Sequence, residues 1–259
     1  MAKHYIELCE GLWREWPAES LDVSSFIEST FDLQAAPEPY VLFNAGLQPL
    51  IALLTNPGQT MPHQLRENVK EDGVGPLTRN LDYATAAHRL GVFYQDELKN
   101  AAGARIDHML ELSRLVGAQG VMNVETCPFH SRSLPNKMKL VKESAQGGFM
   151  KTHVQSLQTY LAGKPVVIVS AVSARESLHD ETKASAWPAW QAQIAGLDLA
   201  TASFTPLVKK GKKITCGAFV STGVGVGAKK ALVLMMGRNN LPGTDGLRLL
   251  AKAILGSKA

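Results

Sequence analysis

The chain has 259 residues, 45% hydrophobic and 19% charged, a balance that excludes an intrinsically disordered chain and lets one domain bury a sizeable core. Its 27 Lys and Arg against 23 Asp and Glu leave a modest net charge of +4. No apolar run reaches the roughly 18–20 residues that span a bilayer, and the N-terminus leads into acidic, Trp-containing sequence, which argues against a transmembrane helix or a secretory leader and for a cytoplasmic protein.

In chain order, residues 1–35 carry Ile6, Leu8, Leu12, Trp13 and Trp16 and read as one or two short helices packed ahead of the core. The first central strand is the apolar run Pro49-Leu50-Ile51-Ala52-Leu53-Leu54-Thr55, which ends at Asn56-Pro57-Gly58. Residues 60–100 are polar, and the segment 103–116 has helical spacing before Gly117 stops it. A second strand is predicted at 120–124 and a long helical stretch over 137–161, broken at Gly147-Gly148. A third buried strand covers 165–170, and the chain from Arg175 onward is helical.

Two β-rich runs, 200–208 and 213–220, flank a basic turn at Gly211 and suggest an antiparallel hairpin insert. The last apolar strand is 231–236, followed by Gly237-Arg238-Asn239-Asn240-Leu241-Pro242-Gly243 and a terminal helix with Thr244 as its N-cap. Four apolar strands separated by helices predict an α/β fold, a central, mostly parallel four-stranded sheet covered on both faces, in one domain over 1–259. Ligands of such sheets bind beyond the carboxyl ends of the strands. That rule puts Asn56, the segment 123–131, the segment 170–173 and the segment 237–243 on the rim of one cleft.

Several motifs on that rim carry chemistry. In Asn56-Pro57-Gly58, proline fixes φ and glycine permits positive φ, so the asparagine is pinned facing the cleft, suited to hold a water. The same tripeptide also serves simply as a favourable turn. In Asn123-Val124-Glu125-Thr126-Cys127-Pro128-Phe129-His130-Ser131, the strand-end amide offers both a donor and an acceptor to a base edge, and Phe129 and His130 can stack or donate. The bland alternative is a satisfied strand-end asparagine and a solvent-facing histidine.

Positive charge bunches in 132–142, in Lys209-Lys210-Gly211-Lys212-Lys213 and in Lys229-Lys230, which attracts a polyanion if the clusters share a face and is otherwise a set of solvated loops. Gly223-Val224-Gly225-Val226-Gly227 leads into a strand, not a helix, so it lacks the helix N-terminus of a phosphate loop. Cys9, Cys127 and Cys216 have no C-x-x-C spacing, and neither a metal nor an organic cofactor is expected. Met235-Met236 and the Trp187/Trp190 pair read as core or packing surface.

The order of these features resembles the uracil-DNA-glycosylase superfamily over roughly residues 40–255, in the branch with an Asn-Pro-Gly first motif. The resemblance implies the three-layer α/β/α fold of that superfamily. It also implies a monomeric, monofunctional DNA N-glycosylase that flips a base out of DNA, leaves an abasic site and touches no membrane. It assigns water positioning to Asn56 and base reading to Asn123, with Pro57, Gly58, Phe129, His130 and Ser131 lining the pocket. Asn239 takes the place of the transition-state residue of the final motif, and Arg132, Lys137, Lys229, Lys230, Arg238 and Asn240 contact the DNA. The chain departs from the superfamily pattern in having no Asp in the first motif, no aromatic gate directly after Pro57-Gly58 and no histidine in the last motif. An ungated pocket admits a bulkier base, so the expected substrate is uracil or a modified cytosine such as the glucosylated hydroxymethylcytosine of phage DNA, the target of anti-phage defence glycosylases. Two rivals remain open, a catalytically silent DNA-binding module and a Rossmann-like nucleotide-binding enzyme.

Overall fold

The computed structural model describes residues 2–16, 31–55, 61–69, 75–96, 103–131, 142–143, 145–172, 186–221, 229–236 and 241–256. Among them are six α-helices, α1 (Ala2–Glu15), α2 (Tyr83–Asp96), α3 (Gly103–Leu115), α4 (Gly148–Leu161), α5 (Ala186–Ala195) and α6 (Thr244–Leu255). Seven strands accompany them, β1 (Tyr40–Phe43), β2 (Leu50–Leu54), β3 (Val121–Glu125), β4 (Val166–Val172), β5 (Ser203–Lys210), β6 (Lys213–Val220) and β7 (Lys230–Met236).

The strands lie in one sheet in the order β1-β3-β2-β4-β7-β6-β5. β2 pairs with β4 and β4 with β7 in parallel, whereas β6 pairs antiparallel with both β7 and β5. The fold is thus α/β, but the sheet is mixed and seven-stranded where the four apolar runs predict four mostly parallel strands. Two features account for the difference. The short run Tyr40-Val41-Leu42-Phe43 forms β1, and the hairpin read as an insert continues the sheet because β6 takes the free edge of β7.

By internal contacts the chain divides into two compact units, 1–42 with 55–93 and 124–160, and 43–54 with 94–123 and 161–259. Each is assembled from three stretches of chain, so no single cut in the sequence separates them.

In the first unit, α1 buries Tyr5, Cys9, Leu12 and Trp13, a spacing that lines one helical face, and Trp16 follows it inward. Each aromatic also satisfies its polar atom. Tyr5 donates to the Pro39 carbonyl at 3.2 Å, Trp13 to Leu81 at 3.1 Å and Trp16 to Leu33 at 3.2 Å. Tyr83 stands edge-on to Tyr40, with ring centroids 4.9 Å apart. Helix α2 lies inside the stretch that reads as polar in sequence. Its buried Tyr83, Ala86, Ala87, Leu90 and Gly91 do follow helical spacing, but two of the five are alanines and one is glycine, which give a weak apolar signal. Its first turn is held by Asp82, which accepts from Thr85 N–H at 2.9 Å, and by the Glu10 carboxylate, which accepts from Tyr83 N–H at 2.6 Å.

In the second unit, every residue of β2 is buried, as are Val166, Val167, Ile168 and Val169 of β4 and Ala231, Leu232, Val233 and Leu234 of β7. Such continuous apolar strands are stable only when both faces are covered. Helix α5 packs on β4 and β7, and α6 packs on α3, β5 and β6. The cap of α6 is Gly243 and not Thr244, which is the first helical residue, and Gly256 closes the helix at φ +68°. Gly120, at φ +78°, starts β3 where an added Cβ would lie 2.1 Å from the Asn44 carbonyl oxygen, so no other residue fits there.

Candidate functional site

After β3 the chain turns through Thr126-Cys127-Pro128-Phe129-His130-Ser131, and all six residues are buried. A loop can be buried only if its backbone groups find partners. Glu125 N–H donates to the Pro39 carbonyl at 3.0 Å, Glu38 N–H to Pro128 at 2.9 Å, and Asp32 N–H to His130 at 2.9 Å. Cys127 N–H donates to the Thr55 carbonyl at 2.9 Å. Thr55 directly precedes Asn56-Pro57-Gly58, so this bond fastens the residue ahead of the first motif to the loop that carries the second. These are two of the four rim segments that the strand-end rule groups together.

His130 does not face solvent. It is fully buried, with Nε2 3.7 Å from Oε1 of Glu38, itself buried. The Gln64 amide donates to the same carboxylate oxygen and accepts from Met61 N–H at 2.6 Å through its own oxygen. The carboxylate thus stands beside the imidazole, at a separation beyond hydrogen-bond reach. Sequence reasoning misses Glu38 and Gln64. The only signal for Glu38 is its place in Pro37-Glu38-Pro39, where the flanking prolines hold an extended backbone, and Gln64 sits in aperiodic polar sequence.

Phe129 is buried against Phe149, ring centroids 5.9 Å apart, and Phe149 stacks on His153 at 5.8 Å. His153 donates from Nε2 to the Glu125 carbonyl at 3.3 Å, and burial pulls its pKa down to about 4, so the ring is neutral at physiological pH. The Cys127 thiol is pushed up to about 12 by burial, which removes it as a thiolate nucleophile.

In the second unit, Asn123 lies within β3 and is 7% exposed. Its Oδ1 is buried and, among the described residues, has no hydrogen-bond partner. An amide oxygen in that position forgoes about 1–3 kcal/mol of solvation. Ser170, expected at the rim, lies inside β4 and donates from Oγ to Gln191 Oε1 at 2.7 Å. The Gln191 amide nitrogen donates to the Leu54 carbonyl at 2.9 Å, which ties α5 to the last residue of β2. Nothing in the sequence marks Gln191, one of two glutamines on α5.

Lys230 turns inward. It is 5% exposed, its Nζ donates to the Leu161 carbonyl at 2.6 Å, and burial lowers its pKa to about 8. Lys229 is half-buried and donates from Nζ to the Ser221 carbonyl at 3.2 Å. Asn56, Pro57, Gly58, Arg132, Lys137, Arg238, Asn239 and Asn240 lie outside the described residues, as do the helix expected at Arg175 and the whole Gly223-to-Gly227 loop. Among the described residues, no helix is long and apolar enough to cross a membrane. Comparison with protein-family models, with curated proteins and with solved structures finds no match for this chain.

Proposed function

We propose that the protein is a DNA glycosylase of the uracil-DNA-glycosylase type, which flips a base out of DNA and hydrolyses its N-glycosidic bond to leave an abasic site. The observation that carries this reading is Asn123, a buried amide oxygen on a central strand that lacks a donor among the described residues. A base edge supplies such a donor from an amino or imino N–H. The order of motifs around it supports the same chemistry.

Flipping costs a few kcal/mol of unstacking, which the pocket contacts offset. The bond from C1′ to the base nitrogen then breaks with both electrons leaving on the base, and the sugar becomes oxocarbenium-like. Asn56 orients the water whose oxygen attacks C1′. An amide has no useful basicity, so the water proton passes to the departing base or to solvent. The flanking phosphates and a nearby cation offset the charges that develop.

Incubation with uracil-containing DNA and with hypermodified phage DNA, followed by assay for alkali-labile abasic sites, tests the reading. Release of either base supports it and names the substrate. Binding with no release from any DNA leaves the silent DNA-binding module in its place.

A further inference from the structure

The hairpin of β5 and β6 ends in Lys209-Lys210-Gly211-Lys212-Lys213, and no acidic residue occurs anywhere in 203–220. Lys209, Lys210 and Lys212 are exposed. Among the described residues, no carboxylate forms an ion pair with any of these three. Lys210 and Lys213 are direct cross-strand partners. A polyanion laid across the tip would meet the three exposed ammonium groups of Lys209, Lys210 and Lys212.

The position of the tip matters as much as its charge. β6 runs antiparallel to β7 with Cys216 opposite Met235, so Lys213 lies two residues past the register position of Met236. At about 3.4 Å per residue the tip overhangs the carboxyl end of β7 by roughly 7 Å. Because β7 is parallel to β4, with Met236 opposite Val172, this is the edge beyond which parallel sheets bind their ligands. An open groove of about 390 Å³ lies at the base of the tip, lined by Val208, Lys210, Lys213, Cys216, Met235 and Met236 among others. Its thioether and aliphatic floor suits the face of a sugar or base, and its two ammonium groups suit a phosphate.

From charge, position and groove together we infer that the β5–β6 hairpin tip is a DNA-backbone clamp, gripping phosphates through Lys209, Lys210, Lys212 and Lys213 and seating one nucleotide over Met235 and Met236. DNA is the polyanion favoured here because of the proposed glycosylase activity, on which this choice of ligand rests.

The test is fluorescence anisotropy of labelled single-stranded and duplex oligonucleotides as a function of KCl. Four alanines, Lys209→Ala, Lys210→Ala, Lys212→Ala and Lys213→Ala together, should weaken binding. The slope of log K against log[KCl] should become shallower by about 0.9 for each duplex phosphate contact removed. Four arginines at the same positions should retain wild-type binding, which separates loss of charge from a damaged turn. Lys252→Ala, an exposed lysine on α6, should change nothing. Unchanged affinity and slope in the four-alanine protein overturns the inference, as does wild-type binding to phosphatidylserine vesicles without binding to DNA. Tip-dependent DNA binding with no base release keeps the clamp and removes the proposed activity. Base release with tip-independent binding does the reverse.

Discussion

Replacing Asn123 by leucine separates stability from function in a way few substitutions can. The Asn123 oxygen is buried with no donor among the described residues, a state that costs about 1–3 kcal/mol relative to a solvated or paired amide. Leucine has nearly the same shape and no polar atom, so Asn123→Leu removes that cost and adds apolar contacts with the interior of β3. The expected gain is about 1–2 kcal/mol, which for a chain of this size raises Tm by roughly 2–8 °C. Activity should move the other way. Leucine cannot accept from the base N–H as the Asn123 oxygen does, and a neutral hydrogen bond of that kind together with the unpaired base donor is worth about 1–3 kcal/mol, so single-turnover base release should fall roughly 5- to 150-fold. Urea unfolding and single-turnover release on the same preparation give both numbers. If Asn123→Leu loses more than about 1 kcal/mol of stability, the amide is holding the fold together and its assignment to a base is refuted.

Three further outcomes are expected. His153 titrates at about 4 in the folded protein against an ordinary value near 6.5, so the unfolded chain binds the extra proton between those pH values. The stability His153 confers is therefore complete above about pH 6.5 and declines as pH falls toward 4, by about 3 kcal/mol in all. His153→Gln should flatten the dependence of the urea midpoint on pH in that window relative to wild type, and an unchanged slope would show that the ring is not buried as a neutral base. Gln191→Leu removes both the Ser170 and the Leu54 bonds and should cost about 2–4 kcal/mol by urea unfolding. Because Leu54 lies two residues before Asn56, the same change should slow base release while DNA affinity by anisotropy stays constant. Gly120→Ala places a Cβ against the Asn44 carbonyl at positive φ and should lower stability by at least about 2 kcal/mol in thermal melts.

Hydrophobic runs made the strands legible. Leu50 to Leu54, Val166 to Val169 and Ala231 to Leu234 are unbroken apolar segments, and each is a buried strand. The hairpin was readable from its turn residues, but its attachment to the sheet was not, since nothing local says which edge β6 will take. Helix α2 went unread because Ala86, Ala87 and Gly91 make up three of its five buried residues. At the candidate site, the turn after β3 was legible as a strand end, whereas Asn123 and Ser170 lie inside β3 and β4, and Asn56 and residues 237–240 lie outside the described residues. Glu38, Gln64 and Gln191 were not legible, because a buried polar side chain is defined by what it meets across the fold and leaves no periodic trace. Lys230 is the converse case. Its neighbours in sequence suggest a surface cation, and the register of β7 against β4 turns it inward to Leu161.

The most direct measurement is single-turnover release of a base from DNA by the wild-type protein and by Asn56→Ala and Asn123→Ala, with DNA affinity recorded for each. If Asn56 orients the water and Asn123 reads the base, wild-type protein leaves alkali-labile abasic sites. Asn56→Ala then loses turnover at unchanged affinity, and Asn123→Ala loses turnover and discrimination between bases. Release at the wild-type rate by both variants, or no release from any DNA by the wild type, would contradict the proposed chemistry.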